Sequence, residues 1–333
     1  MLRISSLALA ALVAVTGSAS AQTLEKFNFA LNWFPVGDHA AYWVALEKGY
    51  YKAKGLDVTL ENSKGSGDVI AKLDTGRADA GVADSALVIA SSTRGATVKS
   101  VGMIWDNTAL NFFSLKSSPI AKPKDLEGKT LGAPPGDSQR QMFPGFAKLT
   151  GIDASKVTWV NIEPAAKIAA LAEKRLDGVG DATTGLPLYE KASGKGNIVM
   201  MQWADYGFDL YSLSIAASAK TMKERPKALK DFLEASYMGW RDVMADPAAA
   251  MAIFKKRVPE IDVEALTENM AMGLALMNTE RYAKNGIGWI EEKKMCNSVD
   301  LVNTYMGLNK KAECKDVYSM EFYTKVDMPK KTN

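Results

Sequence analysis

The chain of 333 residues has two cysteines and a single histidine. A structural zinc site needs about four nitrogen or sulfur ligands, so this supply is too small for one. Charge of one sign is also missing. The formal net charge is +3 and the basic residues are scattered, which argues against a nucleic-acid groove and against a polybasic membrane patch. No internal repeat, low-complexity linker, Walker loop or serine, histidine and acid motif of a hydrolase is present. Apolar runs are short. The one from Leu7 to Val15 follows Arg3 and leads into Gly17, Ser18, Ala19, Ser20 and Ala21. It is too short to span a bilayer and ends in the small-x-small form that a signal peptidase cleaves. Residues 1–21 are therefore expected to be a signal peptide, with a soluble periplasmic protein beginning near Gln22. No cysteine follows the small residues, so no lipid anchor is indicated. In an oxidising compartment Cys296 and Cys314, both in the carboxyl-terminal segment, read as a disulfide.

What is present is alternation of strands and helices, an α/β pattern, in a length that suits two domains of roughly 100 to 200 residues. Phe27, Phe29, Leu31 and Trp33 alternate with polar or small residues as one buried strand face does, before a turn at Pro35, Val36 and Gly37. Further strands are expected at Leu56–Leu60, Ala80–Ala83 and Val101–Trp105, with helices between them, and such strands pair in parallel. A second unit follows, with strands near Lys129, Val157–Ile162 and Val199–Trp203. Its helix Pro164–Arg175 is alanine-rich and is expected to hold Lys167, Glu173 and Lys174 on an exposed side. From Pro226 onward the pattern is helical, and Leu229, Phe232, Leu233, Ser236, Tyr237 and Trp240 form a stripe expected to pack back on the first unit.

Several segments carry a resemblance. They are Leu31-Asn32-Trp33-Phe34-Pro35 with His39, Glu47-Lys48-Gly49-Tyr50-Tyr51, Lys54-Gly55-Leu56-Asp57-Val58, Gly76-Arg77-Ala78-Asp79-Ala80-Gly81, and Asp125-Leu126-Glu127-Gly128-Lys129-Thr130-Leu131-Gly132. In this order they resemble the thiamine-precursor-binding family, which joins bacterial binding proteins for formyl-aminopyrimidine with the fungal synthase of the thiamine pyrimidine. The family is similar more broadly to binding proteins for sulfonates, nitrate and taurine. The resemblance implies a type II periplasmic-binding-protein fold, two lobes joined by two crossover segments, with residues 22–110 and 217–333 in lobe 1 and 111–216 in lobe 2. It also implies a monomeric solute-binding protein that delivers its ligand to an ABC permease and ATPase in the inner membrane. The fungal relatives perform pyridoxal phosphate chemistry on this fold, but the cysteine-rich run that marks them is absent from 209–218. Neither enzymatic activity nor a cofactor is expected here.

Candidate ligand contacts cluster after the expected strands, where open α/β sheets gather ligands. Trp33 and Phe34 follow the first strand, and the resemblance makes Trp33 a stacking platform. Asp38 and His39 open the first helix, where Asp38 has the alternative of a simple cap. The resemblance places His39 at a position that is reactive in the fungal enzyme. Asp84, Trp105 and Asp106 end the third and fourth strands, and each acid has the same capping alternative. In lobe 2 the candidates are Ser138, at a helix start, Asp181 and Thr183 as rival contacts, and Tyr211, which is equally a hinge or core residue. Gly65-Ser66-Gly67 is either a tight turn or an oxyanion cradle. Acids beside aromatic rings suit an aminopyrimidine, and they repel a sulfonate or nitrate. The expected ligand is therefore a small planar heterocycle such as a thiamine pyrimidine precursor, with a sulfonate, nitrate or aromatic acid as the alternative.

Overall fold

The computed structural model describes residues 23–329, so the expected signal peptide lies outside the described residues. Among the described residues ten strands run in chain order: β1 (Glu25–Ala30), β2 (Leu56–Glu61), β3 (Ala80–Asp84), β4 (Val98–Met103), β5 (Leu110–Leu115), β6 (Thr130–Gly132), β7 (Thr158–Val160), β8 (Gly178–Ala182), β9 (Ile198–Gln202) and β10 (Leu213–Ser218). They form two five-stranded sheets, β2-β1-β3-β10-β4 and β7-β6-β8-β5-β9, one in each lobe. The chain crosses between lobes after β4 and again before β10. The expected boundaries, after 110 and after 216, fall inside β5 and β10.

Parallel pairing of β1 with β2 and β3 follows the expectation from their helical crossovers. The fourth strand departs from it. Among the named strands β4 pairs only with β10, antiparallel, with single bridges from Ser100 to Tyr318 and from Met103 to Gly288, and β10 also runs antiparallel to β3. The reason is that the returning chain is inserted between β3 and β4, a position that no local periodicity encodes. All six residues of β10 are buried. Both its faces are covered, so it reads as an unbroken small and apolar run rather than an alternation.

The helical tail closes the core of lobe 1. Pro226 and Pro247 sit at the first turns of the helices Pro226–Ala245 and Pro247–Arg257, where a proline forfeits no internal hydrogen bond. All six stripe residues of the first of these helices are buried. Phe232 stacks on Phe27 with ring centroids 4.6 Å apart and on Tyr51 at 5.1 Å, which ties the tail to β1 and to the segment before β2.

Cys296 and Cys314 are joined in a disulfide that pins the helix Glu292–Tyr305 to the short helix Cys314–Val317. Native protein should therefore take up no alkylating agent, and two thiols should react after reduction and unfolding, read by mass. Two reactive thiols in unreduced native protein would break the pairing.

Candidate functional site

The lobes meet around a cleft of about 820 Å³, counting its open mouth. Lobe 1 contributes the loop that follows β1. That strand stops at Ala30, so Trp33 and Phe34 stand beyond it, with ring centroids 6.0 Å apart and both rings half-buried. Asp38 and His39 lie in the 3-10 turn Gly37–His39 that enters the helix Ala40–Glu47, and both are buried. Asp38 Oδ2 accepts hydrogen bonds from Thr184 Oγ1 of lobe 2 at 2.8 Å and from Asn269 Nδ2 at 3.5 Å. Burial pushes the Asp38 carboxyl up to about 7, helped by the Asp181 charge and opposed by these two donors. Burial likewise holds His39 down to about 3, so its imidazole is neutral and sits 2.9 Å from Asn32 Oδ1. A neutral, enclosed imidazole acts as a dipole in the wall rather than as a charge.

Asp84 combines the two roles that the sequence left open. Its Oδ1 accepts from Ala86 N at 3.0 Å, capping the helix Ser85–Ser92, and the residue also lines the cleft, where burial raises its carboxyl to about 7. Trp105 lines the cleft and is buried. Asp106 is a correction. Its fully buried carboxylate is clamped by Arg281, with Nε 3.0 and 2.8 Å from the two oxygens, and it does not line the cleft. A bidentate guanidinium satisfies the acid outright, and Arg281 is too far along the chain to be inferred locally. Tyr211 is not a cleft residue either. Its ring lies under Lys294 and its hydroxyl accepts from Glu291 N at 3.0 Å, which makes it part of the packing near the second crossover.

The lobe 2 wall is built around a lysine that the sequence reading misplaced. Lys167, on the helix Ala166–Ala172, is completely buried. Its Nζ lies 3.2 Å from Asp137 Oδ2 and 3.3 Å from Asp181 Oδ2, and it donates to the Gly180 carbonyl. Glu173 and Lys174 are exposed as expected, but they lie past the end of this helix, Glu173 as its C-cap and Lys174 at φ +60, so it stops short of the expected Arg175. Burial opposes the lysine's charge, but the two carboxylates outweigh it and hold Lys167 protonated. Asp137 is pushed up by burial and pulled back down by Lys167, while its Oδ1 caps the helix Ser138–Thr150 through Arg140 N at 3.0 Å. Tyr189, kept protonated by burial, donates to Asp181 Oδ2 at 2.6 Å. A composition signal for this cluster existed only in retrospect: two Gly-Asp pairs, Gly136-Asp137 in the loop after β6 and Gly180-Asp181 in the last residues of β8.

Of the rival contacts Asp181 and Thr183, Asp181 lines the cleft and Thr183 does not, its place being taken by the neighbouring Thr184. Thr183 is buried, its amide spent on the Ala109 carbonyl, and Thr184 reaches across to Asp38. The one-residue difference follows from the 3-10 turn Thr183–Gly185, which swings successive side chains to different walls. Ser138 Oγ crosses the lobe boundary to Ser66 Oγ at 3.1 Å. The Gly67 amide donates to the Gly136 carbonyl at 3.0 Å and the Gly65 amide to the Asn32 carbonyl at 2.9 Å, so two of the turn's three amides are spent. Gly65, at φ +110, brings its backbone so close that a Cβ would lie 2.3 Å from Gly136 O, which makes a side chain there incompatible with this closed arrangement.

Two α/β lobes closed over one shared cleft define the periplasmic-binding-protein fold. A family model described as NMT1/THI5 like matches residues 36–250, and the chain belongs to that family. Among its relatives is the riboflavin-binding protein RibY of Chloroflexus aurantiacus, 25% identical over 309 residues that cover 90% of this chain and 86% of that one. The 4-amino-5-hydroxymethyl-2-methylpyrimidine phosphate synthase of Candida albicans is 23% identical over 272 residues, covering 77% and 78% of the two chains. The yeast synthase THI5 is 32% identical over 109 residues, about a third of either chain. Among solved structures, the alkanesulfonate-binding protein SsuA of Xanthomonas axonopodis pv. citri has a TM-score of 0.69 at 14% identity, covering 88% of this chain and 98% of that one. The ligand-binding component of an ABC-type import system from Staphylococcus aureus has a TM-score of 0.67 at 16% identity, covering 90% and 98%. The fold is thus the one on which ABC-import binding components are built. Among the described residues no helix is long and apolar enough to cross a membrane.

Proposed function

We propose that the protein is the ligand-binding component of an ABC importer, working in the periplasm with a permease and an ATPase, and that its cleft takes a planar nitrogen heterocycle without negative charge. The observation that carries this is the cleft lining. Trp33, Phe34 and Trp105 supply ring surface and Asp38, Asp84, Asp137 and Asp181 supply carboxyls, while no lysine or arginine lines it. The nearest cation, Lys167, is committed to two carboxylates and a carbonyl. An anion placed here would meet Asp137 and Asp181, beside carboxyls that burial raises to about 7, with no free cation to offset them.

A 5-hydroxymethyl aminopyrimidine of the thiamine-precursor kind fits this description. A flavin is the second reading, favoured by the extent of the match to RibY. The pyridoxal phosphate of a synthase fits poorly, because its phosphate would sit among aspartates without a guanidinium, an ammonium or a free glycine turn to hold it. A binding role without chemistry is therefore the reading adopted here.

The test is a thermal-shift screen of the purified protein against 4-amino-5-hydroxymethyl-2-methylpyrimidine, riboflavin, taurine, alkanesulfonates and nitrate, followed by calorimetry on the hits. A heterocycle should raise the melting temperature and the anions should not. A sulfonate or nitrate response with none from any heterocycle would reverse the assignment.

A further inference from the structure

The lobe 1 wall carries two polar atoms that the protein leaves unsatisfied. Asp38 Oδ2 is used by Thr184 and Asn269, but Oδ1 has no hydrogen-bond partner among the described residues, and neither has the indole Nε1 of Trp105. Both residues line the cleft, and they are only 5% and 3% exposed. Water therefore does not meet these groups freely, and native interiors leave few such groups unmade because each forfeits its solvation. The two also share a neighbour. A Cβ on Gly273, in the helix Val263–Met277, would lie 2.4 Å from Asp38 Oδ1 and 3.6 Å from Trp105 Cζ2, a carbon on the Nε1 side of the indole. The bare backbone of Gly273 thus leaves room for the carboxyl beside the donor edge of the tryptophan.

We propose that Asp38 Oδ1 and Trp105 Nε1 read one edge of the ligand together, an acceptor and a donor that call for a ligand donor and acceptor side by side. This deepens the heterocycle reading of the cleft and rests on it. Ring systems with an exocyclic amine next to a ring nitrogen present that edge, as in an aminopyrimidine, and so do those with an N–H next to a carbonyl, as in a flavin. A sulfonate or nitrate offers acceptors alone and leaves Asp38 Oδ1 facing another oxygen. The orientation of Asp38 is fixed from both lobes, by Asn269 Oδ1 accepting from its backbone amide at 3.2 Å and by Thr184 donating to its other oxygen, so the edge is assembled only when the lobes close.

The test uses calorimetry on the full mature protein with 4-amino-5-hydroxymethyl-2-methylpyrimidine, the same pyrimidine without its 4-amino group, and riboflavin. Trp105→Phe keeps a ring in place and removes only the N–H. Asp38→Asn keeps the shape and the acceptor facing Thr184, and it turns Oδ1 into a donor. Each variant should bind the best heterocycle about tenfold more weakly. The deaminated pyrimidine should bind wild type more weakly by a similar factor and be insensitive to Asp38→Asn, because the contact is already gone. Gly273→Ala, whose Cβ crowds Asp38 Oδ1, should weaken binding at least as much as Asp38→Asn, and a melt of each unliganded variant reports whether it folds. If heterocycles bind wild type and Trp105→Phe equally well, the indole N–H is satisfied by Asp38 itself and the proposal is wrong while the function stands. If wild type binds no heterocycle, the functional reading fails and this inference falls with it.

Discussion

Lys167→Met should destabilise the protein by about 3–5 kcal/mol, the loss characteristic of removing one partner from a buried ion cluster. The lysine is wholly buried and lies between Asp137, 3% exposed, and Asp181, so its removal leaves two carboxylates in a poorly solvated wall. The effect has a pH signature. Burial already raises the Asp137 carboxyl above its unfolded value of 3.8, and without Lys167 the largest opposing influence disappears, leaving only the Arg140 amide. A carboxyl with a raised folded pKa contributes stability below its unfolded value and loses it as pH rises through the folded one. The deficit of the variant should therefore be largest at pH 8 and shrink toward pH 5. Urea unfolding at the two pH values decides it, and adding Asp137→Asn to Lys167→Met should recover part of the loss, since the pair couples. A deficit under about 1 kcal/mol that ignores pH would mean that the ammonium is solvated and the cluster does not hold the wall together.

The misplacement of Lys167 shows where sequence reasoning stops. On the helix Ala166–Ala172 it occupies a polar position among alanines, which is what a solvated face looks like. Its burial comes from Asp137, at a helix start, and Asp181, on β8, and from lobe 1 closing above it. Asp106 erred in the other direction, because its partner Arg281 lies 175 residues away. The features that were legible are those with local causes. Alternating Phe27 and Phe29 gave β1, prolines at first turns gave the starts of the tail helices, and the stripe from Leu229 to Trp240 gave the face that stacks on Phe27. β10 was not legible, since nothing near Leu213 records that the strand will lie between β3 and β4. Cleft residues were recoverable wherever a strand end positions them, as at Asp84, and lost where a turn of one residue decides the wall, as between Thr183 and Thr184.

Trp33→Ala should weaken heterocycle binding tenfold to a hundredfold, about 1–3 kcal/mol, which is the range for removing an aromatic platform beneath a stacked base. Trp33 also contributes to closure itself. The Lys167 ammonium of lobe 2 lies 4.7 Å from the centroid of the Trp33 ring of lobe 1, so the indole is attracted to the opposite wall before any ligand arrives. With one face of the ring so occupied, a stacked ligand uses the other face or displaces the ammonium, and in either case alanine removes the surface that both partners share. Trp33→Phe should therefore fall between wild type and alanine, since a phenyl ring keeps a smaller stacking face and a weaker attraction for the cation. Because Trp33 is half-buried at the edge of the core, unliganded Trp33→Ala should still fold. Calorimetry gives the affinity, and small-angle scattering with saturating ligand gives the compaction, which should be incomplete in the alanine variant. Unfolding of that variant would reassign Trp33 to the core, and unchanged affinity would remove it from the ligand's path.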